Sequence, residues 1–128
     1  KLLTCIVQQA PDITCAKKVA KSVITSSLFK AAMFGKDANW GRILCAIGYT
    51  DAIFDVDKID VTLSSEAGEL PVCVNGSGCG FDEDHAANVL EEDEIDILID
   101  MHQGEGYATA WGCDLTYDYV KINGDYRT

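Results

Sequence analysis

The stretch Glu94-Ile95-Asp96-Ile97-Leu98-Ile99-Asp100-Met101 puts Ile95, Ile97, Ile99 and Met101 at every second position, with Asp96, Leu98 and Asp100 between them. A strand points successive side chains to opposite faces, so this alternation describes a strand with one dry face and one wet face. Asp96 and Asp100 belong to the wet face. Beyond a glycine-containing loop, Tyr107, Thr109, Trp111 and Cys113 alternate in answer, and the two runs read as a hairpin. Upstream, Ile59, Val61 and Leu63 face Leu70, Val72 and Val74 across Ser65-Glu66-Ala67-Gly68-Glu69, which reads as another hairpin. Pro71 has no N–H for a ladder, so its strand is expected at a sheet edge.

Working outward, residues 2–8 read as a buried strand. Asp12 can cap a helix whose apolar positions are Ile13, Ala16, Val19, Ala20, Val23 and Ile24, leaving Lys17, Lys18 and Lys21 on the wet side. Ser26-Ser27 weakens that helix; Leu28 to Phe34 continues it or forms a separate turn, and Gly35 ends the segment. Trp40, Ile43, Leu44 and Ile47 follow helical spacing, with Asn39 as cap and Gly48 as stop. Phe81-Asp82-Glu83-Asp84 opens a third helix running to about Glu91, with Asp82 as cap and Phe81 placed to staple onto Ala86. The order is βααββαββ with two to three helices. It describes a single α+β domain over residues 1–128 with a mostly antiparallel sheet. The ending Asp118-Tyr119-Val120-Lys121-Ile122-Asn123-Gly124-Asp125-Tyr126-Arg127-Thr128 is rich in anchoring aromatics and is expected to dock rather than fray. A chain that opens at Lys1, without Met and inside a strand, reads as a cleaved subunit or an expressed piece.

The chain has 128 residues, 48% of them apolar, and ten Lys plus Arg against twenty-one Asp plus Glu, for a net charge of −11. That balance argues against nucleic acid or an anionic membrane as partner, since both call for a basic surface. No apolar run is long enough to span a bilayer. Six cysteines, at 5, 15, 45, 73, 79 and 113, fit reduced core positions in a cytoplasmic protein better than a disulfide framework: Cys45 sits among apolar helix neighbours, and Cys5 and Cys113 in strands. No metal site is expected, because Cys73, Cys79 and His85 lack a second ligand pair at zinc-like spacing.

Other motifs read as structure. The nine carboxylates of residues 82–100 lack the alternation of a calcium loop and read as solvated surface. Gly76-Ser77-Gly78-Cys79-Gly80 has no Lys and follows a hairpin strand, so it reads as a flexible connection rather than a phosphate loop. His85 and His102 have no evident nucleophile partner and read as surface residues. The segment from Phe34 to Arg42 is different. Asn39 caps and Trp40 is core, but Gly41 in a first helical turn costs about 1 kcal/mol against Ala. Close approach to another segment, a subunit or a ligand would account for it.

Leu28-Phe29-Lys30-Ala31-Ala32-Met33-Phe34-Gly35-Lys36-Asp37-Ala38-Asn39-Trp40-Gly41-Arg42-Ile43-Leu44 and the run from Ala110-Trp111-Gly112-Cys113-Asp114 to Thr128 resemble the bifunctional ornithine acetyltransferase/N-acetylglutamate synthases of arginine biosynthesis. The resemblance extends over essentially the whole chain. It implies a precursor that cleaves itself before a threonine, which then carries acetyl from N2-acetylornithine to glutamate as a covalent ester. It also implies an oxyanion hole on a separate α chain. Many members accept acetyl-CoA as donor, and no bound cofactor is implied. No Thr here stands in the cleavage context, so no catalytic residue is expected in this chain. The chain resembles the C-terminal domain of the β chain, for which the family suggests a ubiquitin-like roll. Its expected partners are the α chain, the rest of the β chain and further copies of the αβ unit. Two family substrate-binding positions carry over, Asn123 and Thr128. The Asn amide can both donate and accept, as an amino-acid carboxylate or acetamido group requires. The other reading of the chain is a structural module that assembles subunits through Asn39-Trp40-Gly41-Arg42.

Overall fold

The computed structural model describes residues 1–127. Strand β1 (Leu2–Ala10) is followed by helices α1 (Ile13–Thr25), α2 (Ser27–Phe34) and α3 (Trp40–Gly48). After a short 3₁₀ turn come β2 (Asp60–Ser65), β3 (Gly68–Val74) and the two-residue β4 (Ser77–Gly78). Helix α4 (Glu83–Glu91), β5 (Glu94–Asp100), β6 (Gly106–Cys113) and α5 (Tyr117–Asp125) complete the described chain. The class is α+β, with five helices where two to three were expected, because Ser26 separates α2 from α1 and the ending is helical.

Each helix start is set locally. Asp12 Oδ1 accepts from the Cys15 N–H at 2.7 Å and caps α1. Ser26, extended at ψ 113°, ends α1 and accepts from the Phe29 N–H to start α2. Asn39 caps α3, and Asp82 caps α4 with two acids in its first turn, where the helix dipole favours them.

All six strands form one sheet in the order β4-β3-β2-β5-β1-β6. Only β1 and β5 run parallel; the other neighbours are antiparallel. Leu63, Ile97, Cys5 and Ala110 therefore line up across four strands. Leu3, Cys5, Val7, Ile95, Ile97, Ile99, Val61 and Leu63 are wholly buried under α1 and α4. On the opposite face Thr4, Ile6, Leu98 and Thr62 are half-buried and Asp96 is exposed, so the alternation of β5 is realised as expected.

The expected hairpin of residues 95–113 does not form: β1 lies between β5 and β6. The connection of residues 101–105 arches over the end of β1, where Met101 N–H donates to Gln8 O at 3.0 Å and Gln103 N–H to Gln9 O at 2.8 Å. Crossing one intervening strand means covering about 10 Å, two strand spacings, well within the reach of five residues. A Cβ on Gly104 would run into the Ala10 and Pro11 backbone, and one on Gly106 into the Asp12 carbonyl. These glycines permit the close crossing rather than a tight turn.

The upstream hairpin forms, with its strands extended to Ser65 and Gly68, so the connection is shorter than expected. Pro71 lies next to a register shift, and beyond β3 stands only β4, which pairs with Cys73 and Val74; the edge placement holds. Cys5, Cys15 and Cys73 are buried, but Cys45 and Cys113 are exposed, on the outer side of α3 and on the edge strand β6. Among the described residues all six cysteines are free thiols, and burial pushes the Cys5 thiol up to about 12. No described helix is long and apolar enough to cross a membrane.

Ile97 sits at the centre of this core. Ile97→Ala should cost about 2–5 kcal/mol, read as a lower denaturant midpoint with an unchanged slope in the full-length protein.

Candidate functional site

The C-terminal segment departs most from what a closed domain requires. Asp114, the one buried charged residue among those described, has its Oδ1 2.7 Å from the Lys1 main-chain nitrogen, tying the start of the segment to β1. The Leu115 N–H donates to Lys30 O at 3.2 Å. The Tyr117 ring meets Phe34 edge-on, with centroids 5.2 Å apart and planes at 86°. Thr116 caps α5 by accepting from the Tyr119 N–H at 2.9 Å. These contacts hold only the first turn. No residue of α5 is buried, and Tyr119, Val120, Ile122 and Tyr126 are all exposed. The expected docking of the ending is therefore limited to its root, because among the described residues only the Phe34 region faces the helix, at Tyr117 and Val120.

Asn123 stands on the last turns of α5, exposed, with its side-chain N–H donating to Tyr119 O at 2.9 Å. Thr128 lies outside the described residues. The root of the segment borders a groove of about 330 Å³ lined by Ala31, Phe34, Gly35, Leu115, Tyr117 and Val120. Hence the helical motif around Phe34 and the ending, far apart in sequence, meet at this groove.

The Asn39–Arg42 turn is occupied within the chain. Asn39 accepts from the Arg42 N–H at 3.0 Å and donates to Asp37 at 3.1 Å, while Arg42 donates to Leu28 O at 2.9 Å. Trp40 is not core. It is 36% exposed and lies against the β3–β4 hairpin, where a Cβ on Gly78 would overlap its indole. Gly41 has no close neighbour of this kind: a Cβ there would meet only the Asn39 side chain, at 3.5 Å.

A second polar cluster was not legible in the sequence. His102 Nε2 lies 2.8 Å from Asp60 Oδ2 and its Nδ1 3.3 Å from Asp100 Oδ1. The two carboxylates are partners in the β2–β5 ladder, so the strand pairing itself builds the socket. The hydrogen bond to Asp60, with the charge of both carboxylates, raises the His102 pKa above its ordinary value. Asp60 is held low, first by the Asn75 N–H and then by His102. Gln103 next to it clamps the preceding loop, accepting from the Asp55 N–H at 2.7 Å and donating to Asp55 O at 2.8 Å. Among the described residues no hydroxyl or thiol bonds His102, so the arrangement is a latch between strand ends rather than a nucleophile–base pair.

The remaining candidates fall apart in space. Cys73 donates to Ile59 O at 3.7 Å, Cys79 to Pro71 O at 3.4 Å, and His85 engages Glu69 O at 2.9 Å while half-buried over Gly68. Each spends its polar atom on a different carbonyl. Among the described residues no three such side chains cluster as metal ligands do.

A two-layer α+β domain with an aromatic helix left without a partner is the class that these features define. The chain belongs to the ArgJ family, whose model matches residues 1–128. Over all 128 residues it is 56% identical to the arginine biosynthesis bifunctional protein ArgJ of Caldanaerobacter subterraneus subsp. tengcongensis, covering 32% of that protein. The protein of the same name from Thermotoga neapolitana is 48% identical over the same length, again with 32% of it covered. The crystal structure of the arginine biosynthesis bifunctional protein argJ from Bacillus halodurans superposes with a TM-score of 0.89 at 41% identity, over 98% of this chain and 58% of that one. The chain thus spans about a third of the length of the curated relatives it matches.

Two outcomes test the local geometry. Gly78→Ala should cost about 1–3 kcal/mol by overpacking against Trp40, measured by denaturant unfolding. The raised His102 pKa means that the latch stabilises fully below the ordinary histidine pKa of 6.5 and loses its contribution as pH rises through the folded value. His102→Gln should flatten the stability profile in that window, and the His102 ring protons in the parent should titrate above 6.5.

Proposed function

We propose that this chain is the C-terminal domain of the β chain of an acyltransferase that moves acetyl from N2-acetylornithine to glutamate, and that its ending completes the substrate pocket. The observation that carries this reading is the unpartnered helix α5, rooted firmly at Asp114 and Tyr117 yet exposed along Tyr119, Val120, Ile122 and Tyr126. An isolated soluble domain rarely leaves a contiguous aromatic surface of this sort uncovered. Membership of the ArgJ family and the naming of its relatives as arginine biosynthesis bifunctional proteins supply the reaction class.

In this reading the nucleophilic threonine and the oxyanion hole belong to the remainder of the enzyme, and this chain alone is inactive. A covalent acetyl-threonine divides one hard transfer into two easier ones. The domain's own contribution is orientation. Asn123 offers an amide that can donate to and accept from an amino-acid carboxylate or an acetamido group. Thr128, the family's other substrate-binding position, adds a hydroxyl. Acetyl-CoA as an alternative donor, assembly of αβ units into a larger oligomer and a cytoplasmic setting belong to the same proposal.

The competing reading, assembly through Asn39-Trp40-Gly41-Arg42, has less support. Asn39, Trp40 and Arg42 are each engaged inside the chain. Trp40→Ala is therefore expected to loosen the β3–β4 hairpin rather than dissociate subunits.

Asn123→Ala in the full-length enzyme should lower kcat/KM at least tenfold, about 1.4 kcal/mol of transition-state binding, with unchanged size on a gel-filtration column. Removing Arg127 and Thr128 should do the same. Full activity in both variants would overturn the pocket role.

A further inference from the structure

Asn123 stands on a helix that fixes its amide but not its own direction. The Asn123 side-chain N–H donates to Tyr119 O at 2.9 Å, one turn back along α5. That bond ties the amide to the helix and leaves its oxygen and a second N–H for a ligand. The helix has no buried residue along its length. Its direction is therefore set at its root.

The root is built on α2. Phe29, Ala32 and Met33 bury that helix in the core, and Lys1 Nζ donates to Met33 O at 3.0 Å across its last turn. On this firm base the Leu115 N–H donates to Lys30 O at 3.2 Å, which pins the chain just ahead of α5. Beyond that pivot, the first contact made by α5 itself is the edge-on meeting of Tyr117 with Phe34, the last residue of α2. Val120 borders the same groove one turn further on. Tyr117 is 82% exposed, so its ring adds little buried area, and its contribution is geometric. Aromatic rings that meet edge to face favour a narrow set of approach angles.

A small change at this contact is magnified at the far end of the helix. Asn123 lies six residues past Tyr117, about 9 Å along an α-helix, so a tilt of about 10° carries it by about 1.5 Å. Misplacing a binding group by about 1 Å can cost on the order of a hundredfold in rate.

We propose that Tyr117, held by Phe34, is a positioning residue that aims α5 and so places the Asn123 amide against substrate. The positioning role rests on the pocket role proposed above for Asn123.

A double-mutant cycle on acetyl transfer from N2-acetylornithine to glutamate by the full-length enzyme tests it. Tyr117→Ala should lower kcat/KM at least about tenfold and divide the loss between kcat and KM as Asn123→Ala does. In the Asn123→Ala background the same change should cost nothing further, since no amide is left to place. Tyr117→Phe keeps the ring edge and should restore the kcat/KM of the parent. Phe34→Leu keeps apolar volume without the ring and should lower it. Thermal melting checks that each variant is folded; if Tyr117→Ala is not, the same cycle is run on Phe34→Leu. Full activity in Tyr117→Ala, or a loss that adds undiminished to that of Asn123→Ala, would overturn the positioning role and leave the pocket role standing. Full activity in Asn123→Ala would remove the pocket role of that residue, and the positioning role with it.

Discussion

The parallel pairing of β1 with β5 is the constraint on which the rest of the molecule depends. It places two strongly apolar strands at the middle of the sheet, each flanked on both sides, so that their backbone groups are satisfied in a setting without water. Once β1 occupies that position, β6 has to find an edge on its far side. The chain reaches it only by crossing closely over Gln8–Asp12, where Gly104 and Gly106 remove the side chains that would collide. On the other side of β5, the β2–β5 ladder sets Asp60 opposite Asp100, and so creates the socket for His102. Topology and a loop path follow from the first ladder, and the ionisable latch from the second.

Placing β6 at the edge also shapes both faces of the domain. Its small residues let α1 lie close, which opens a shallow groove beside Trp111. Its end delivers Asp114 back to the start of β1, from which α5 departs over Phe34. The well-packed part of the molecule is therefore a platform, and the ending is presented from it rather than absorbed into it. The result is an aromatic helix held at its root and exposed beyond it, in a chain that spans about a third of the length of its relatives.

Much of the local structure was legible in residue order. Asp12, Asn39 and Asp82 cap the helices that their spacing announced, and the alternation at 95–101 identified a strand with one dry face. Ser26 left two readings open, and its extended ψ decides between them. The resemblance carried by the Phe34 region and the ending pointed to the family shown by the comparisons. Residues 95–101 and 107–113 carry as strong a hairpin pattern as residues 59–74, yet only the latter pair forms. The core role read for Trp40 and the burial read for Cys45 and Cys113 failed in the same way, and His102, on the surface as read, has carboxylate partners that no spacing announced. Each depended on what lay opposite in space.

Caps and alternation act between residues a few positions apart, where covalent geometry alone brings the groups together, and these the sequence by itself determined. Strand order, the exposure of α5 and the Asp60–His102–Asp100 contact join residues many positions apart, and hydrophobic periodicity cannot say which neighbour a strand will take. Those only the tertiary structure decided, because burying Cys5, Val7, Ile97 and Ile99 together requires β1 between β5 and β6.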